Sequence, residues 1–154
     1  MSEHWLLFGG PYSNIQATRA MRAEAARLNI PPSHTICTGD VVAYCANPEE
    51  TVHEIRGWGI QVIQGNCEAQ LAADGADCGC GFAAGSVCDT LSKRWYDYAR
   101  RHTSAASKVW MGTLPRTLSF MVGSKRCSVI HGGLQDISRF IFASTPETVK
   151  QEEF

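Results

Sequence analysis

No long apolar run and no block of like charge occurs anywhere in this sequence. Its first apolar stretch, Trp5 to Phe8, covers only four residues, against about 20 for a membrane-spanning helix. The opening Met1-Ser2-Glu3-His4 has no basic stretch of the kind a secretory leader carries. The 14 Lys+Arg and 15 Asp+Glu are dispersed and leave a formal charge of −1. That balance argues against a nucleic-acid or anionic-membrane surface as the main function. An even cysteine count is missing as well. Seven cysteines without a leader make reduced thiols in a cytoplasmic compartment the stronger expectation and a disulfide framework the weaker one.

What is present suits one packed domain over residues 1–154. Hydrophobic residues make up 44% of the chain, and a chain of this length buries about 68–70% of its unfolded surface. Trp5-Leu6-Leu7-Phe8, stopped by Gly9-Gly10-Pro11, predicts a buried strand. Ile15, Ala17, Ala20, Met21, Ala25 and Leu28 recur at helical spacing until Pro31-Pro32. Thr35 to Thr38 reads as a second strand running into Gly39-Asp40. Asn47-Pro48-Glu49-Glu50 is a helix start, with Asn47 as cap, and Gly57 and Gly59 close that helix. Ile60 to Gln64 is a third strand, followed by a loop at Gly65-Asn66-Cys67-Glu68. Residues 72–88 show no period and predict an irregular excursion, and Leu91 to Trp110 returns to helical spacing. Thr117 to Val122 and Arg126 to Ile130 form a hairpin with His131-Gly132-Gly133 at its exit. Alternating strands and helices imply parallel crossovers and an α/β sheet.

Three strand-end loops each offer a hard-metal ligand: Asp40, Asn66 and His131. Ligands collect at the carboxyl ends of strands in open α/β sheets. A carboxylate, an amide oxygen and an imidazole suit Mn²⁺, Fe²⁺ or Zn²⁺. Taken singly, Gly-Asp and Gly-Asn are also ordinary turn formers. Cys78-Gly79-Cys80, flanked by Cys67 and Cys88, offers a soft-metal alternative, although C-x-C is not the zinc-ribbon spacing. Trp5, Trp58, Trp95 and Trp110 read as core, and Arg94, Arg100 and Arg101 as one solvated helix face.

The runs TGDVVAYCANPEETV and GWGIQVIQGNCEAQL resemble the GD and GN[HCN][DE] motifs of calcineurin-like metallophosphoesterases, and SVIHGG resembles their HG motif. The resemblance extends from about Trp5 to Phe142 and points to the small bacterial phosphodiesterase and phosphatase subgroup. It implies an α/β, αββα sandwich in which two adjacent metals clamp a phosphate. By position, Asp40 would bridge the metals, Asn66 and His131 would bind the second, and Asn66 would lie beside the substrate phosphate. Asp40 and Asn66 are thus the implied catalytic residues, and Glu68 is implied to support them rather than bind metal.

Two departures accompany the resemblance. Where the family has Asp-x-His-x-Asn, this chain reads Gly10-Pro11-Tyr12-Ser13-Asn14. The family's closing Gly-His-x-His motif does not occur up to Phe154, so the expectation is a domain incomplete at its carboxyl end relative to the family, either as a fragment or because the family's last strands are absent. The first metal keeps only Asp40, whereas the second keeps Asp40, Asn66 and His131. The expectation is a hydrolase of small phosphate esters with one divalent ion. Its rivals are a catalytically silent homologue kept as a binding or regulatory module and, less strongly supported, a thiol-based metal or redox module.

Overall fold

The computed structural model describes residues 4–153. Met1 to Glu3, part of the segment read above as lacking a leader, lie outside the described residues, as does Phe154. Strand β1 (Leu6–Phe8) leads to helix α1 (Ile15–Arg27), a 3-10 turn (Pro32–His34), and strand β2 (Thr35–Cys37). Helix α2 (Pro48–Trp58), strand β3 (Gln61–Val62) and helix α3 (Asn66–Ala72) follow. After an irregular stretch come α4 (Val87–His102), α5 (Ala105–Gly112), the hairpin β4 (Thr117–Val122) and β5 (Lys125–Ile130), and α6 (Glu147–Glu153).

β1, β2 and β3 pair in parallel in that order, with Phe8 opposite Cys37 and Cys37 opposite Val62. Because side chains alternate across a strand, the sheet feeds two cores. Cys37 and Val62 face one way and join Ala25, Val52, Ile55 and Trp58 under the helices. Ile36 and Ile63 face the other way and meet Val129, Leu118 and Phe120 of the antiparallel hairpin. Helix layer, parallel sheet and hairpin are therefore stacked in that order, giving three of the layers of the αββα arrangement. The outer face of the hairpin, at Ser119 and Ser128, is exposed.

Local chemistry explains most boundaries. The Asn14 side chain accepts from Ala17 N at 3.0 Å and starts α1. Pro48, Glu49 and Glu50 occupy the first turn of α2, and Gly59 ends it in the left-handed region (φ 74°). Asn47 does sit at the cap position, but through its carbonyl, which accepts from Thr51 N at 3.1 Å; its side chain makes no cap bond. The helical stretch at 91–110 is two helices, because Ser104 accepts from Ser107 N and restarts the chain as α5. Gly65 to Glu68 is a helix start rather than a loop, since Asn66 opens α3. Trp58 is buried, Trp5, Trp95 and Trp110 pack against the cores, and Arg101 pairs with Asp97 on the solvated face of α4. No helix among the described residues is long and apolar enough to cross a membrane.

Candidate metal centre

Two glycines let the strand-end loops touch. A Cβ on Gly39 (φ 96°) would lie 2.6 Å from Gly65 N and 3.0 Å from His131 Nδ1. A Cβ on Gly65 would lie 2.5 Å from Asp40 Oδ1 and 2.6 Å from Asp40 N. The loop after β2 and the start of α3 thus pack backbone to backbone. Glu68, wholly buried, laces them together by accepting from Asp40 N (2.8 Å), Gly65 N (2.9 Å) and Val42 N (3.3 Å). Burial first, and then the Asp40 charge, push the Glu68 carboxyl up to about 7 despite those three donors. Its oxygens are spent on backbone amides, which gives it a supporting place rather than a ligand's.

Asp40, Asn66 and His131 are brought together. His131 Nε2 is 3.1 Å from Asn66 Oδ1 and 3.5 Å from Asp40 Oδ1. His131 Nδ1 stands 2.6 Å from the carbonyl oxygen of Thr38, a pure acceptor, so the ring proton belongs on Nδ1. The Asn66 amide is oriented by its Nδ2, which donates to Cys78 O at 2.8 Å and leaves Oδ1 facing the imidazole. An imidazole lone pair, an amide oxygen and a carboxylate oxygen consequently point at one another with no hydrogen among them. Such a convergence is one that a bound cation would satisfy. Donor atoms held at ~2.0–2.2 Å around a single ion lie roughly 3.0–3.5 Å apart, and the observed spacings fit that. Among the described residues no three His, Cys, Asp or Glu side chains gather, because the third donor here is an amide.

Gly10 to Asn14 forms the loop after β1 and lies against the Asp40 loop, with Tyr12 N donating to Asp40 O at 3.1 Å and Ser13 N to Val41 O at 2.9 Å. It brings neither carboxylate nor imidazole. Gly10 has φ 60°, and the Tyr12 ring lies on it so closely that a Cβ at position 10 would fall within the ring. Among the described residues the Tyr12 hydroxyl has no hydrogen-bond partner. Burial, with the Asp40 charge next, raises its pKa, so it stays a neutral phenol.

The same cavity, about 220 Å³, is lined by Tyr12, Asp40, Tyr44, Asn66, Phe82, His131, Ser138, Arg139 and Phe140. Arg139, Tyr44 and Phe140 carried no motif signal, because only the tertiary path of the chain brings them here. Arg139 lines this cavity, and its Nε pairs with Glu153 (3.4 Å) and Asp136 (3.8 Å). Glu153 also accepts from Gln135 N and Asp136 N and so pins the segment carrying Arg139.

The cysteines correct one expectation. Cys78 and Cys80 are bonded to each other rather than reduced: Gly79, at φ 64°, turns the chain so that their Cα atoms stand 5.3 Å apart. That removes two thiolates from any soft-metal cluster. Cys67 is buried, and burial, with Asp40 and Glu68 adding to it, holds its thiol well above the ordinary value, as a neutral group.

A parallel sheet backed by a hairpin, with its strand-end loops converging on one cluster, is here a metallophosphoesterase-like fold. The chain is similar to a metallophosphoesterase from Sphaerobacter thermophilus, at TM-score 0.68 and 18% identity, with 100% of this chain on 57% of that one. It is also similar to a hypothetical protein of Pyrococcus horikoshii OT3, at TM-score 0.73 and 15% identity, with 97% of this chain on 63% of that one. The chain thus spans about three fifths of either protein, and at these identities the likeness concerns the fold. No protein-family model matches the sequence, and neither does any curated protein.

Proposed function

We propose that the chain is a hydrolase of small phosphodiesters or phosphomonoesters, working with one divalent ion (Mn²⁺, Fe²⁺ or Zn²⁺) held by Asp40, Asn66 and His131. The observation that carries this reading is the meeting of His131 Nε2 with Asn66 Oδ1 at 3.1 Å and with Asp40 Oδ1 at 3.5 Å. An ion held there would supply Lewis acidity towards a phosphoryl oxygen and an acidified water. Asp40 contributes the negative charge that holds the cation, and Thr38 O fixes the imidazole so that Nε2 faces it. Arg139 lines the same cavity, and its guanidinium would supply positive charge for a phosphate there.

A second reading, a fold retained for binding without catalysis, is favoured by one observation. The Tyr12 ring rests on Gly10 at the place where the resemblance expects the ligands of a first metal. Turnover of an aryl phosphodiester with added Mn²⁺ separates the two. The hydrolase reading expects slow turnover that Asp40→Asn, nearly isosteric, abolishes while the thermal transition is kept. Absence of turnover with every divalent ion would leave the binding reading.

A further inference from the structure

The cavity beside the Asp40 cluster has an aromatic side that binding a bare phosphate would leave without a use. Tyr12, Tyr44, Phe82 and Phe140 all line it, with Arg139 and Ser138 among them. Tyr44 is 51% exposed and Phe140 is 61% exposed, so two large rings stand open to solvent at the edge of a polar pocket. Tyr44 is held in place: its ring meets Tyr12 at 4.9 Å and 65°, and Trp95 at 4.9 Å and 61°.

The backbone tells the same story. Six described residues other than glycine have positive φ, and three of them, Tyr12 (52°), Asp40 (54°) and Tyr44 (40°), line this one cavity. A tyrosine in the left-handed region is strained, and such strain collects where a structure must present a side chain in a fixed place. Cys45 N donates to Tyr12 O at 3.1 Å, and Ser13 Oγ accepts from Ala43 N at 3.1 Å, so the first loop holds the Tyr44 turn at the residues on either side of it. The protein thus keeps an aromatic ring half in water, at a conformational cost, next to a phosphate-sized polar site.

We propose that this rim is a subsite for a planar aromatic group, with Tyr44 as its principal wall, so that the substrate is an aryl or nucleobase-bearing phosphate ester. The inference rests on the phosphoester reading for the position of the phosphate. It adds that the organic half of the molecule lies on Tyr44 while the phosphate faces His131, Asn66 and Arg139. Ring-on-ring contact of this kind favours an aromatic ligand over an alkyl one by roughly threefold to tenfold.

The test compares two non-hydrolysable probes that share one charged head, phenylphosphonate and methylphosphonate, titrated calorimetrically with Mn²⁺ present. The wild type is expected to bind the phenyl probe about fivefold tighter. Tyr44→Ala should bring the two within about twofold, with its thermal transition as the check that the variant has folded. Tyr44→Phe should retain the preference, and Tyr44→Leu, which keeps bulk without a ring, should lose most of it. Equal binding of the two probes by the wild type, or a preference that survives Tyr44→Ala and Tyr44→Leu, would overturn the subsite and leave the phosphoester reading standing. If neither probe binds, with or without Mn²⁺, both fall together.

Discussion

Replacing Gly65 by alanine isolates the close approach on which the metal centre depends. The backbone at this position is extended (φ −91°, ψ 175°), which any residue adopts. On conformational grounds alone, Gly65→Ala should therefore stabilise the fold by about 0.4–1 kcal/mol. The contacts oppose it. The new methyl would sit 2.5 Å from Asp40 Oδ1, 2.6 Å from Asp40 N and 2.9 Å from Glu68 Oε2. Two of these three atoms are fixed, one in the backbone and the other in a carboxylate held by three amides. Ordinary contact near ~3.5 Å requires the loops to part by roughly 1 Å. Overpacking of that size costs ~1–3 kcal/mol, so the net effect is a loss of about 1–2 kcal/mol, or roughly 3–6 °C in Tm for a chain of this length. Separating Asp40 from Asn66 should also weaken Mn²⁺ binding by about tenfold or more. Gly57→Ala is the matched control. It lies in α2 with no atom within 4 Å of a new Cβ, and should gain about 0.5–1 kcal/mol. Thermal unfolding and Mn²⁺ titration of both variants decide the matter. A Gly65→Ala protein as stable as Gly57→Ala, with unchanged Mn²⁺ affinity, would refute the packing argument.

Other expectations follow from the same geometry. Gly10→Ala should destabilise by about 1–3 kcal/mol, combining left-handed strain with displacement of the Tyr12 ring; adding Tyr12→Ala should recover only the steric part, as thermal unfolding of both variants would reveal. Glu49, although burial alone would raise its pKa, is held below the ordinary carboxylate value by bonds from Ser104 N, Ser104 Oγ and Ser107 Oγ that tie α2 to α5. Its folded pKa is depressed, so its stabilisation is present above the unfolded value of 4.5 and fades as pH falls through the folded one. Glu49→Gln should cost about 1–2 kcal/mol at pH 7 and progressively less below pH 4.5 in denaturant titrations at each pH.

The order of strands and helices was legible because periodicity changes at each Gly or Pro break, and Gly59 and Pro48 marked the ends of α2 by local chemistry alone. The three candidate ligands were singled out by their motifs and the fold brings them together, and the need for Gly39 and Gly65 became clear only when the loops were seen to touch. Helix α3 was hidden because it begins inside the GN motif, where the Gly-Asn pair reads as a turn. The break at Thr103 and Ser104 was masked by helical spacing on both sides. Arg139, Tyr44 and Phe140 owe their place to long-range packing, through Glu153 and the Tyr12 loop, and no local pattern announces that. The Cys78–Cys80 bond escaped because compartment, leader and parity speak about frameworks rather than about two sulfurs separated by one glycine.

The central claim is that Asp40, Asn66 and His131 hold one divalent ion, and counting bound metal tests it most directly. After saturation with Mn²⁺ and removal of the excess, elemental analysis should give about one ion per chain. Asp40→Asn and His131→Ala should each reduce the count to near zero without loss of the folded transition. Two ions per chain would mean that substitute ligands such as Tyr12 complete a second site. No bound ion in the wild type, or one ion retained in both variants, would mean that the cluster closes on a proton at His131 Nε2 and is not a metal centre.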